Sequence, residues 1–453
     1  VNALDLFYIP LAVLTAPIWA GKKRHGWGER FGKIEALPPR APGVKRVMLH
    51  AVSVGEVSAL RALVPMLARD CEVVVSATTD TGLARARELF GSMQTGESRD
   101  GEPARHPVFV VRYPLDFSWS VRRVLDAVQP DAVALVELEV WPNFVKACVA
   151  RGVPIAVING RLSPRSFKGY RRARLLLKPT FARLTRVAAQ DEHYATRFEA
   201  MGVSRDRIEI AGSMKWDAAK IEDHVPGAAE LAAEMGIDPA IPLIVAGSTA
   251  DASTASGSGG GGGETEEALI VRSARAAAER AGTRVQVLCA PRKPERFAAA
   301  AAAMPGCVRR TRCKVDAPTN AASGLFLLDT IGELRKAYAL AQIVVMGRSF
   351  GTLYGSDPIE PAALGKPTLI GPRFADFDQI VRAFARDGGI EVVAGDAELA
   401  NTLTRLLGNP RERAEMADRA RACIRAHQGA TARHAAMLLE LSRKGPPSVN
   451  GAR

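Results

Sequence analysis

The chain has 453 residues, 47% of them hydrophobic and 24% charged, enough apolar material for two globular domains and too much for a largely disordered protein. Its formal net charge of +13 calls for an anionic partner, yet aromatic residues make up only 6% and no zinc-finger or RNA-binding signature accompanies the charge, so nucleic acid is set aside. The six cysteines lack any C-x-x-C pair or Cys/His ligand spacing, which fits a reduced compartment and predicts no metal site.

The first element is an apolar run from Leu6 to Ala20, interrupted by Pro10 and Pro17 and followed by Lys22, Lys23 and Arg24. It is short for a spanning helix, and the basic cluster marks a cytosolic side, so residues 1–24 read as a membrane anchor or interfacial helix. A buried helix of the first domain is the alternative. From residue 44, apolar β-branched runs alternate with stretches of helical spacing; strands are expected at Arg46–Val52, Glu72–Ala77, Ala132–Val136, Pro154–Ile158 and Val187–Ala189. The pattern pauses over the polar segment Gly212–Gly236. It resumes with Leu243–Ala246, Val285–Cys289, Leu325–Leu328, Ile343–Met346, Thr368–Ile370 and Glu391–Val393. The expected fold class is therefore α/β, with two Rossmann-like domains over 25–212 and 213–443 facing a central cleft, and ligands at the carboxyl ends of parallel strands. Gln94–Arg105 and the Ser/Gly-rich Asp251–Gly263 read as surface loops, and 444–453 as a disordered tail.

Chemistry is expected at the strand ends. After the first strand, Ser53 and Gly55 keep the turn small, so that Glu56 can project from the first helical turn into the cleft; the same Glu would also complement the helix dipole without catalysis. Glu137 and Glu139 follow another strand, either as cleft carboxylates or as helix-start charges. Arg161 heads a basic run through Arg165, Lys168, Arg171, Arg172, Arg174 and Lys178, a solvated helix face or a site for an anionic head group. Lys215 stands at the presumed domain crossover, where it could approach ligands or pair with Asp217. In the second domain, Pro291-Arg292, Ile331-Gly332-Glu333 and Asp357-Pro358-Ile359-Glu360 follow successive strands, in the manner of nucleotide phosphate and ribose sites. No G-x-G-x-x-G or Walker A pattern occurs there, which speaks against NAD and ATP enzymes; Asp376-Phe377-Asp378 lies well past a strand end and reads as structural.

The ordered segments HAVSVGE, ELEVWPN, NGRLS, GSMKWD, PRKPER and IEPAALGKP resemble the Kdo (3-deoxy-D-manno-octulosonic acid) transferases of lipopolysaccharide biosynthesis, a family of the two-domain GT-B fold. That resemblance covers nearly the whole chain. It implies CMP-Kdo as donor, a lipid A precursor as acceptor, inversion at the anomeric carbon, no metal and no cofactor, on the cytoplasmic face of the bacterial inner membrane with its anionic surface. By matching position it implies Glu56 as general base and Glu137 and Lys215 as transition-state stabilisers. Ser53, Gly55 and Arg161 fall on the acceptor side, and Pro291, Arg292, Ile331, Gly332, Glu333, Asp357, Pro358, Ile359 and Glu360 become CMP contacts. Lys293 replaces the usual His of the PRHPER segment, Asp357 replaces Asn, and the Ser/Gly insertion replaces a short turn; all three departures fall on the donor side. The rival readings are a GT-B transferase or epimerase using a UDP-sugar and a non-catalytic membrane-bound lipid-binding relative.

Overall fold

Six consecutive buried residues in Arg46–Ala51 and again in Glu72–Ala77 are what a parallel strand covered on both faces requires. In a computed structural model, which describes residues 2, 4–6, 8, 10, 25–95, 105–251, 264–313 and 321–444, these are β1 and β2 of a seven-stranded sheet. It continues with β3 (Val108–Arg112), β4 (Ala132–Val136), β5 (Ile155–Gly160), β6 (Arg186–Ala189) and β7 (Ile208–Ile210), in the order β3-β2-β1-β4-β5-β6-β7 with every pairing parallel. Alternate residues feed two cores: Val47, Leu49, Val73 and Val75 face one, and Met48, Val74, Val133 and Leu135 the other.

A second sheet contains β8 (Leu243–Thr249), β9 (Gln286–Pro291), β10 (Val308–Arg309), β11 (Leu325–Leu327), β12 (Ile343–Met346), β13 (Thr368–Ile370) and β14 (Ile390–Val392). Its order is β10-β11-β9-β8-β12-β13-β14, again all parallel. Each sheet reverses its direction of winding once, between β1 and β4 in the first and between β8 and β12 in the second. Those reversals are where open α/β sheets receive ligands.

The two compact units do not divide the chain at 212/213. One comprises residues 1–218 with 427–453 and the other 219–426, so the sequence-based bounds are corrected at both ends. The physical reason is the helix Ala430–Lys444, whose Leu438 and Leu441 join the same core as Val47 and Leu49. Asp217 caps the start of that helix, accepting from the amides of Gly429 at 2.6 Å and Thr431 at 2.5 Å. The Trp216 and His427 rings stack beside it with centroids 4.6 Å apart. Three strands were absent from the sequence reading: β3, β7 and β10, all on sheet edges. Most of the expected anchor, most of the loops at 94–105 and 251–263, and the tail beyond Lys444 lie outside the described residues. Among the described residues, no helix is long and apolar enough to cross a membrane.

Candidate active site

The turn after β1 is built around Ser53. It is the N-cap of helix Val54–Ala59, its hydroxyl accepting from the Glu56 amide at 3.3 Å and donating to Glu56 Oε1 at 2.8 Å. The Val52 amide donates to Glu56 Oε2 at 2.8 Å, so the carboxylate is oriented by a reciprocal cap of the Ser-x-x-Glu type. Glu56 therefore does contribute to helix capping, yet each of its oxygens keeps a second lone-pair direction for another donor. Gly55 is not forced by its surroundings, since an added Cβ would meet only Ser53 Oγ at 3.8 Å. The glycine this turn requires is Gly82, where a Cβ would lie 2.8 Å from both the Val52 carbonyl and Thr79 Oγ1.

Glu137 follows β4 directly, with φ 59°, a left-handed conformation that a glutamate adopts at a cost of about 1–3 kcal/mol. Two backbone bonds, one to β5 and one to the residue after it, hold it there: the Glu137 amide donates to Ile158 at 3.0 Å and its carbonyl accepts from Arg161 at 3.3 Å. Burial raises the proton affinity of its carboxyl and Glu56 adds to the rise, while Arg161 and Lys215 oppose it. Glu56, Arg161 and Lys215 thus all act on Glu137 at the β1/β4 reversal. Glu139 belongs there too: burial, then Glu56, push its carboxyl up to about 7 against the pull of the Trp141 hydrogen bond. The Arg161 guanidinium also donates to the Tyr194 hydroxyl at 3.4 Å. Lys215 is placed through Asn159, whose side-chain oxygen accepts from the Met214 amide at 3.2 Å.

In the second unit the expected nucleotide residues gather around helix Leu334–Leu340. Pro291 ends β9, and the Arg292 amide donates to the Thr249 carbonyl at the end of β8, 3.1 Å away. Glu360, Asp357 and Arg292 all act on the buried Tyr338 phenol of this helix; burial and the two carboxylates push it far up, and Arg292 opposes them. Arg335 of the same helix reaches Glu360 at 3.5 Å. Asp357 accepts from the Ile359 amide at 3.0 Å, which folds the Asp357-Pro358-Ile359 turn. Glu333 precedes the helix and pairs with Arg310 through both oxygens at 3.1 Å, while Ile331 beside Gly332 is 69% exposed. Asp378 pairs with Arg382 on an exposed helix face.

Sequence reasoning overlooked four features. Glu266 and Glu267 are fully buried: Glu266 takes four backbone amides at the β8/β12 reversal, and Glu267 accepts from Thr249 Oγ1 at 2.6 Å and pairs with Arg296 at 3.2 Å. Two adjacent acids opening a helix after a strand were the available signal. Asn143 of the ELEVWPN segment is structural, donating to the Asp116 carbonyl at 2.6 Å, and Asp116, pushed by burial up to about 7, accepts the Asn143 and Phe144 amides. Asp5 is fully buried against the same place, accepting from the Ser118 amide at 2.9 Å and the Asn143 side chain at 3.2 Å. His50 is a core residue whose ring stacks on Tyr113 at 3.5 Å, and burial lowers it to about 3.

Residues 25–218 match the family model described as "3-Deoxy-D-manno-octulosonic-acid transferase (kdotransferase)". The 3-deoxy-D-manno-octulosonic acid transferase of Bordetella pertussis is 33% identical over 410 residues, 89% of each chain. That of Haemophilus influenzae is 27% identical over 419 residues, 91% of this chain and 89% of its own. Among solved structures, a glycosyltransferase from Rickettsia africae matches with TM-score 0.55 at 10% identity, over 89% of this chain and 100% of that one. A putative UDP-N-acetylglucosamine 2-epimerase from Listeria monocytogenes matches with TM-score 0.51 at 14% identity, over 89% and 98%. These two likenesses show the fold, a pair of parallel α/β units of the glycosyltransferase kind. Taken with the relatives' extent and identity, they leave one assignment: the chain is a glycosyltransferase and belongs to the 3-deoxy-D-manno-octulosonic acid transferase family.

Proposed function

We propose that the chain moves Kdo from CMP-Kdo onto a lipid A precursor, with inversion and with CMP as leaving group, on the cytoplasmic face of the bacterial inner membrane. The observation that carries the reading is the cluster at the β1/β4 reversal, where Glu56, held by the Val52 amide and Ser53, stands among Glu137, Arg161 and Lys215. The acceptor hydroxyl gives its proton to the Glu56 carboxylate as its oxygen bonds to the anomeric carbon. The bond from that carbon to the phosphate oxygen breaks, and CMP departs with the electron pair. Glu137 favours the positive charge that develops on the sugar, and Arg161 and Lys215 complement the anionic groups, including the carboxylate of Kdo itself. Arg292, Ile331 to Glu333 and Asp357 to Glu360 hold the nucleotide, Glu360 suiting a ribose diol. The site needs no metal, because a monophosphate leaving group is offset by cationic side chains and backbone amides.

Residues 1–24 take the membrane-proximal place: Leu6 is 67% exposed, while Asp5 ties the start of the segment to Ser118 and Asn143 of the first unit. The helix Arg174–Phe181 supports a membrane setting, because Leu175 and Leu176 are 93% and 81% exposed between Arg172, Arg174 and Lys178. Such a basic, apolar surface suits anionic lipid. The test is to incubate the protein with a lipid A precursor and CMP-Kdo generated in situ and weigh the lipid by mass spectrometry. A mass gain of one or more Kdo residues is expected; no gain, or tighter binding of UDP than of CMP in calorimetry, overturns the reading.

A further inference from the structure

Between the end of β4 and helix Pro142–Ala150, the chain runs Glu137-Leu138-Glu139-Val140-Trp141. Trp141 is the residue before the helix, in extended backbone with φ −91° and ψ 124°. It remains 40% exposed, although Val140 before it and Phe144 after it are buried at 6% and 0%. Its indole N–H donates to Glu139 Oε2 at 3.1 Å. The single polar atom of the ring is therefore already satisfied, and what it offers outward is carbon and π surface. An aromatic ring held by its polar handle and open on its apolar part is a surface for stacking.

The carboxylate that holds the ring belongs to the proton-transfer cluster, since Glu56 and Glu137 both act on Glu139. The charge of Glu139 also reaches the phenols of Tyr170, from helix Pro164–Arg172, and of the buried Tyr113, and adds to the rise that burial gives both. Trp141 is thus one hydrogen bond removed from the group of carboxylates that contains the base. A pyranose ring has the matching form: axial C–H groups over one face, hydroxyls around the rim. Laid on the indole, such a ring presents its rim hydroxyls to carboxylates beside it.

We propose that Trp141 is the platform on which a pyranose ring of the acceptor stacks, with Glu139 as the positioning residue that fixes the plane of the indole. This rests on the acceptor assignment made above and adds to it the surface that holds the sugar.

The test uses the full-length protein, CMP-Kdo generated in situ, and a lipid A precursor stripped of its acyl chains, which separates sugar contacts from membrane contacts. Trp141→Ala is expected to raise the acceptor KM about tenfold, the scale of one aromatic contact, with kcat and CMP affinity little changed. Trp141→Phe, which keeps a ring but loses the N–H, should raise it less, and Glu139→Gln should fall between the two. Tryptophan emission is read in parallel: the stripped acceptor should change it in the wild type, and the change should vanish in Trp141→Phe. An acceptor KM within twofold of wild type in Trp141→Ala, or an undiminished emission change in Trp141→Phe, overturns the platform. The emission titration requires no turnover, so it decides the platform even if transfer from CMP-Kdo fails and the functional reading falls.

Discussion

At the β8/β12 reversal Glu266 commits both oxygens to the backbone. Oε2 accepts from the amides of Ala250 and Arg348, each at 2.7 Å, and Oε1 from Ser349 at 2.9 Å and Phe350 at 3.0 Å. At the β1/β4 reversal Glu56 receives one donor on each oxygen and its charge acts on Glu137 and Glu139; Arg161 and Lys215 also act on the first, and Trp141 binds the second. Position in the topology is the same, and so is the residue type. What separates them is the hydrogen-bonding capacity left over. A carboxylate with all four acceptor directions filled by amides is a fixed part of the loop geometry, whereas one with directions open can receive a proton or a ligand. Backbone strain falls at both places, with φ 59° at Glu137 and at Arg348 and 58° at Ser248, so strain alone does not separate chemistry from architecture.

The contrast is broken most directly at Glu56. Glu56→Gln keeps the size and one acceptor oxygen, so the fold and CMP affinity should persist while transfer falls about 10²- to 10⁴-fold. Glu29→Gln is the control, because Glu29 is occupied with Arg112 at 2.8 Å and should lose little turnover. Near-normal transfer in the first variant, or collapse only in the second, removes Glu56 as base. The opposite signature is expected at Glu266: in Glu266→Gln an NH2 group meets two backbone amides, and urea unfolding should show a loss of about 2–4 kcal/mol. An unchanged midpoint would mean that the four amides find other partners.

Glu139 sharpens the comparison through pH. In the folded chain its carboxyl keeps its proton up to about 7, whereas the ordinary value is 4.5, so between these limits the native state binds more protons than the unfolded chain. Stability must then fall as pH rises through that window. Glu139→Gln removes the liability, and its melting curve should gain about 1–2 kcal/mol at pH 8 and nothing at pH 4. Equal effects at both pH values would place the change in packing instead. The smallest effect concerns strain. Glu137→Gly releases the left-handed backbone and the half-buried charge, so thermal stability should hold or rise by about 1 kcal/mol while transfer is lost. A clear drop in melting temperature would show that the Glu137 side chain supports the fold.

The central strands were legible because parallel strands covered on both faces need unbroken apolar runs, as in Val73-Val74-Val75 or Val133-Ala134-Leu135. The strands that escaped, β3, β7 and β10, are edge strands, and Ile208-Glu209-Ile210 or Val308-Arg309 are too short to carry a period. Glu56 and Glu137 could be picked out as candidates because each follows a recognisable strand, and Lys215 because it stands where the strand pattern pauses. That Asn159 would tie Lys215 to the end of β5 could not, since it depends on a side-chain bond across 55 positions. Glu266 was hidden for a related reason: its partners at 348–350 are more than eighty positions away. Nor does the pattern of Ala430–Lys444 say which apolar core it will join.

That last helix sets the order in which the chain matures on the ribosome. The unit spanning 219–426 is one continuous stretch of chain, with all of its strands made before residue 427. The earlier unit lacks Leu438, Leu441 and the His434 that accepts from the Asn159 amide at 3.3 Å until the segment 430–444 has been made. At roughly 5–20 residues per second, the β1–β7 sheet waits some tens of seconds with one of its two cores incomplete, the inverse of the usual N-terminal-first sequence. A growing chain of this kind is most exposed to chaperones, proteases and aggregation at its oldest part.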